Sequence, residues 1–179
     1  MDRTAPTARV IDLARHRRPG YETYAPVAGL TPGELFPLSA LRLWAAPHRQ
    51  PQATHPDWRE GFVLADIDAW AAAAFDAFMG TVLTAATAAL DVRCPRCARL
   101  GADEAILLLA TGHLQRRHPL QATLLLGRWM APAAVRIGLG HLGAFARAAA
   151  DADLWVPSCR LQASRPDTAG VDPGLVRIH

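Results

Sequence analysis

Four residues near the middle of the chain have types and spacing suited to holding a metal. Cys94-Pro-Arg-Cys97 is followed by His113 and then by His118, in the pattern C-x2-C-x15-H-x4-H. That spacing lies at the edge of the range that reads as a zinc site. A C-x2-C turn aims two thiolates at one point, and two imidazoles around a helix end would complete a tetrahedron. Zinc held by Cys94, Cys97, His113 and His118 would staple a connector to the helix it feeds. Cys159 and His141 are substitute ligands from further along the chain. Arg93, Arg96 and Arg99 surround the cysteines and favour thiolates over thiols. Two other readings of the pair stay open. Free cysteines are often buried as small hydrophobes, and a C-x-x-C pair can carry redox chemistry. His113 alone reads as a histidine stabilising a helix C-terminus.

The C-x2-C…H-x4-H spacing is similar to that of the two-Cys two-His zinc finger. The similarity stops there. Gly101 stands where that module has an aromatic residue, and no hairpin is readable before the helix. A DNA-reading finger is therefore not implied. Cys94-Pro-Arg-Cys97 also resembles the active-site motif of thioredoxin-like oxidoreductases, which implies thiol–disulfide exchange. In those proteins the motif follows a strand and opens a helix, whereas here it follows a long helical pattern.

The rim of this segment is basic. Arg93, Arg96, Arg99, Arg116 and Arg117 face Asp91, Asp103 and Glu104 in sequence, a local excess of cations. Such a patch suits an acidic protein partner or nucleic acid. The lack of aromatic residues between 80 and 128 removes the stacking platform of single-strand binders. A second basic cluster lies in the first 18 residues, where Arg3, Arg9, Arg15, Arg17 and Arg18 outweigh Asp2 and Asp12. The rest of the chain is balanced, so the pI of about 9.1 describes an arm and not a basic domain. Arg15, Arg17 and Arg18 are the arm's candidate contacts to phosphate or to an acidic partner.

Other catalytic templates are missing. There is no G-x-S-x-G, no H-E-x-x-H, no Glu-x-x-His pair, and no Lys to close a phosphate loop. The reading therefore leans away from an enzyme. The absence of Lys and Asn, beside abundant Arg and Ala, fits a GC-rich genome of the bacterial kind. It discounts Arg as a recognition signal and Ala as a helix signal.

The elements that must position these residues are helical. Proline recurs at Pro19, Pro26, Pro32 and Pro37, which blocks long helices there. Residues 1–33 read as an arm. A first helix is predicted from Glu34 to Ala46, with Pro47–Pro56 as a loop. Phe75, Phe78, Met79, Val82, Leu83, Ala86 and Leu90 form a helical stripe. This predicts a helix over Ala69–Leu90, capped by Asp66 or Asp68 and extended by a buried Trp70. Its Ala and Thr content makes it a core helix and not a membrane span. Further helices are predicted over Asp103–His113, 119–130 and 132–150, the last two opened by Pro119 and Pro132. Four successive large residues, Ile106 to Leu109, mean a helix covered on most sides.

With 51% apolar and 20% charged residues in 179, the chain is a globular one able to build a core. The expected fold is an all-α bundle of about five helices. It divides into an arm (1–33), a helical domain (34–154) carrying the Cys-x-x-Cys connector, and an extended tail (155–179). No apolar run follows the N-terminal arginines, so no signal segment is expected, and the expected compartment is the cytoplasm. The expected function is that of a small adaptor, regulator or maturation factor working through protein–protein contacts, with structural zinc. The alternatives are a nucleic-acid-binding regulator and a thiol-dependent redox protein using Cys94 and Cys97.

Overall fold

The computed structural model describes Gly20, Tyr21 and residues 24–158. Six helices follow one another: α1 (Pro32–Arg49), α2 (Glu60–Leu64), α3 (Ala69–Ala85), α4 (Ala102–Gln115), α5 (Pro119–Leu126) and α6 (Pro132–Asp151). No strand forms among the described residues, and the fold is an all-helical bundle.

Local chemistry explains where α1, α5 and α6 start. Thr31 and Glu34 form a capping box: the Thr31 hydroxyl oxygen accepts from the Glu34 amide, and the Glu34 carboxylate accepts from the Thr31 amide at 2.7 Å. This cap, with Pro32 in the first turn, starts α1 two residues earlier than the apolar spacing indicates. Pro37 and Pro47 both lie inside α1. Each proline removes one intrahelical amide, yet the helix runs on past Pro47 and closes with Gln50 N–H donating to Ala46 O at 2.9 Å. Pro119 and Pro132 open α5 and α6 as predicted.

Several expectations about helix extent, capping and burial differ from the structure. The helix predicted over 119–130 ends at Leu126, where Gly127 and the next two residues form a turn. The five-residue α2 carries too short a pattern to be read from sequence. The helix predicted to reach Leu90 stops at Ala85, because Ala86 turns extended and pairs with Met130 while Thr87 N–H donates to Trp129 O at 2.9 Å. Tertiary pairing thus overrides the apolar stripe. Trp70 does not extend the buried face and stands half exposed. Asp68 occupies the N-cap of α3 without a side-chain hydrogen bond to it.

The core forms where α3 lies along α6. Phe75, Phe78, Leu142 and Phe145 are fully buried there, joined by Phe62 of α2. The Phe75 and Phe145 rings lie 4.9 Å apart, and Phe36 of α1 stacks on Phe145 at 5.8 Å. Each fully buried ring contributes about 1.5–3 kcal/mol of apolar burial. Ile106, Leu107 and Leu108 are buried and Leu109 half-buried, which matches their run in sequence. No helix among the described residues is long and apolar enough to cross a membrane.

A second, smaller cluster ties the chain's two flanks to the body. Leu30, Leu38, Leu100, Leu108 and Val156 pack together, with Ala25 and Val27 against them. Val27 N–H donates to Ala98 O and Leu100 N–H to Ala25 O, both at 2.9 Å. The described end of the arm therefore lies along the segment after Cys97. On the other flank Gln115 grips the chain twice, donating to Leu154 O and accepting from the Val156 amide, each at 2.8 Å.

Gly33 shows how tightly this flank fits. A methyl group there would collide with the backbone carbonyl of Trp155. Gly33→Ala is expected to lower stability by about 1–3 kcal/mol, as overpacking does, read as a fall in the urea midpoint. Gly140→Ala on α6, whose added carbon meets nothing within 4 Å, is expected to be neutral or stabilising in the same measurement.

Candidate functional site: the Cys94–Cys97 loop and its basic cleft

Between α3 and α4 the chain runs through residues 86–101 without helix. One buried ion pair holds the second half of this connector. Arg42, from the middle of α1, is 3% exposed, and Glu104, in the first turn of α4, is 0% exposed. They meet in a bidentate pair, with Nε to Oε1 and Nη2 to Oε2 both at 2.8 Å. Arg42 also donates to Cys97 O at 2.7 Å and to Arg99 O at 2.8 Å. Glu104 also accepts from the Arg93 amide at 2.8 Å and the Gly101 amide at 2.6 Å. The pair therefore fixes four backbone groups of the loop, two carbonyls and two amides. An ion pair in this setting is tolerable only because its hydrogen-bonding capacity is so fully used.

A second carboxylate secures the loop's shoulders. Asp103 accepts from the Asp91 amide at 2.6 Å and from Trp129 Nε1 at 2.7 Å. Asp91 accepts from the Ala102 amide and from Arg93 Nη2, both at 3.0 Å. The Arg93 guanidinium also lies over the Tyr24 ring, 5.1 Å from its centre.

Within this frame Cys94 and Cys97 close a disulfide, with Cα atoms 5.3 Å apart. The Cys97 amide donates to Cys94 O at 3.0 Å, so the four residues form a tight turn. Cys94 is exposed and Cys97 half-buried. Cys94 also forms part of the wall of a cleft of 510 Å³, between the last turns of α1, residues 53–56 and the loop. Arg49, Arg93, Arg96 and His55 line it too, and no Asp or Glu does. His55 Nε2 contacts Gln50 O at 2.9 Å. Arg42 and Arg93 are answered by Glu104 and Asp91. Among the described residues Arg49 donates only to the carbonyl of Val92 and has no carboxylate partner. Arg96 is exposed and makes no side-chain hydrogen bond or ion pair among the described residues. The C-terminus of α1 brings roughly half a negative charge to this wall, less than the two guanidiniums.

The four proposed zinc ligands fall into two separate pairs. His113 and His118 come together at the other end of α4, with ring centres 6.1 Å apart. Among the described residues no group of three or more His, Cys, Asp or Glu is placed to hold a metal ion. The physical reason is the straightness of α4: eleven residues from Ala102 to His113 rise about 16 Å, against a zinc bond of about 2 Å. Cys159 lies outside the described residues, and His141 sits half-buried on α6.

The rim arginines divide as well. Arg99 donates to Tyr24 O at 3.2 Å, and Arg116 to Gly112 O at 2.9 Å. Arg117 is exposed in a left-handed turn, φ 58°. Only Arg93 and Arg96 belong to the cleft. Arg15, Arg17 and Arg18 lie outside the described residues. Sequence reasoning missed Arg42, Arg49 and His55. Arg42 had a signal, since it follows Leu38 by four places on α1's apolar face. Nothing in the spacing marks Arg49 or His55.

Comparison of the chain with family models, with curated proteins and with solved structures finds no match. Function is therefore argued from the site itself.

Three outcomes are expected. Arg42→Ala leaves Glu104 buried and unpaired, and should cost about 3–5 kcal/mol in chemical unfolding. Arg42→Met with Glu104→Leu should recover much of that loss, while the amides of Arg93 and Gly101 lose their protection from hydrogen exchange. At the other end of α4, burial first, then the charges of His118 and Arg116, hold the His113 imidazole below its usual 6.5. Below that value the unfolded chain binds a proton that the folded one resists, so stability falls as pH drops. His113→Gln should flatten the decline in Tm between neutral pH and about pH 5.5.

Proposed function

We propose that the protein is a thiol–disulfide redox protein and that the Cys94–Cys97 pair is its working group. The observation that carries this reading is a solvent-facing disulfide set in a turn that other bonds already hold. A four-residue bridge restrains little chain: the loop-entropy relation assigns it about 2 kcal/mol. The loop's shape comes instead from Arg42, Glu104, Asp91 and Asp103. A disulfide that contributes little to the fold and faces solvent is of the labile, exchange-prone kind.

The unequal exposure of the two sulfurs assigns their roles. An incoming thiolate reaches the exposed Cys94 and displaces Cys97. A second thiolate that attacks the partner's sulfur then frees Cys94 and completes the oxidation. In the reverse direction the Cys94 thiolate opens a partner disulfide, and Cys97, held in the clamped turn, attacks Cys94 Sγ and releases the partner's second thiolate. The C-P-R-C sequence is the arrangement this chemistry uses elsewhere, here mounted on a helical scaffold. The contact reading of the sequence rests largely on the arm, most of which lies outside the described residues.

Reduction should leave the helical signal unchanged and lower Tm by only several degrees, since each kcal/mol moves a protein of this size by about 2–4 °C. Equilibration in glutathione buffers, followed by alkylation and mass measurement, should give a reversible two-electron midpoint above roughly −300 mV. In the reduced protein Cys94 should alkylate faster than Cys97. A midpoint well below that value, or loss of the fold on reduction, would make the bridge structural and end the proposal.

A further inference from the structure

The geometry points to a substrate class: the cleft beside Cys94 receives a small thiol bearing carboxylates, and that anionic thiol is the exchange partner of the disulfide. The inference rests on the redox reading above and adds to it a binding site.

Three features of the cleft converge. Its 510 Å³ falls within the range of small-molecule sites, about 300–1,000 Å³. Its charge is of one sign, with Arg49 and Arg96 lacking carboxylate partners among the described residues and His55 beside them. A guanidinium takes a carboxylate in a bidentate, charge-assisted pair, so two of them suit a ligand with two carboxylates. The third feature selects a thiol over other anions, because Cys94, the more exposed residue of the disulfide pair, is part of the cleft's wall. A ligand held by its carboxylates would bring its own sulfur against Cys94 as a neighbour and not as a diffusing reagent, which raises its effective concentration.

The exchange balances in two steps. The ligand thiolate forms a sulfur–sulfur bond to Cys94 as the Cys94–Cys97 bond breaks, and Cys97 leaves as a thiolate that takes a proton from water. A second ligand thiolate then attacks the ligand sulfur of this mixed disulfide, and Cys94 leaves as a thiolate. Two ligand thiols become one ligand disulfide, and the protein gains the two electrons. The reverse sequence reduces the ligand disulfide.

The test uses the full oxidised chain with glutathione, which carries two carboxylates, and with its diethyl ester, in which both are masked. The reduction rate is followed by trapping the freed thiols, at equal thiolate concentrations of the two reagents. At low salt glutathione should react about tenfold faster than the ester, a factor in line with two exposed charge pairs. High salt should erase most of this preference. Arg96→Gln should lower the ratio several-fold, and Arg49→Gln/Arg96→Gln should bring it to about one, with thermal unfolding confirming that the variants fold. Equal rates for the two reagents on the wild-type chain would overturn the anionic-thiol site while leaving the redox reading intact. Failure of both reagents to reduce the folded protein, when dithiothreitol in denaturant does so, would overturn the redox reading itself. A preference for glutathione that the arginine variants preserve would place the recognition outside this cleft and overturn the inference.

Discussion

The salt bridge between Arg42 and Glu104 is the constraint on which the rest of the site depends. Removing two full charges from water is costly, and Coulomb attraction alone does not reliably offset it. What makes the pair tenable is that each carboxylate oxygen accepts twice and that the guanidinium reaches two loop carbonyls besides. An apolar pair of similar volume would serve α1 and α4 equally well as packing. It would not say where Cys97, Arg99 or Arg93 must be. The pair therefore buys specificity in a loop that has no helix or sheet to order it.

The packed flanks complete that frame. The segment around Ala25–Val27 covers one side of the loop through backbone hydrogen bonds, and Leu100 sinks into the smaller apolar cluster. Val156 joins the same cluster from the other end of the described chain. The loop is thus held by charge on its inner side and by apolar burial at its C-terminal end. Within residues 91–101 only Cys94, Pro95 and Arg96, at the tip, and Ala98 and Arg99 beyond it remain exposed.

Much of the fold was legible because helices advertise themselves by period. The Phe75–Val82 stripe, Pro119 and Pro132 as openers, and the Ile106–Leu109 run all became the elements they indicate. The misses have a common cause. Ala86 leaves the helix to pair with Met130, forty-odd positions away, and Trp70 is left on the surface by neighbours that the local pattern does not contain. The candidate site divides in the same way. The cysteine pair is a local signal and was visible. The proposed histidine partners lie at the other end of α4, because equal sequence spacing means different distances in a hairpin-and-helix module and in one continuous helix. The clamp is long-range, and Arg42 in an apolar stretch was its one trace.

The separation of Arg42 from Glu104, 62 positions along the chain, also bears on how the molecule is assembled. During synthesis the arginine emerges well before its carboxylate exists, and α1 can form early from its own cap and local bonds. The loop's final geometry must wait for a contact of high sequence separation, whose closure entropy has to be met first. Docking of α1 on α4 must therefore wait until α4 has been made. Until it happens the cysteine-bearing segment is an ordinary flexible chain, and its chemistry in the nascent protein is that of an unrestrained peptide.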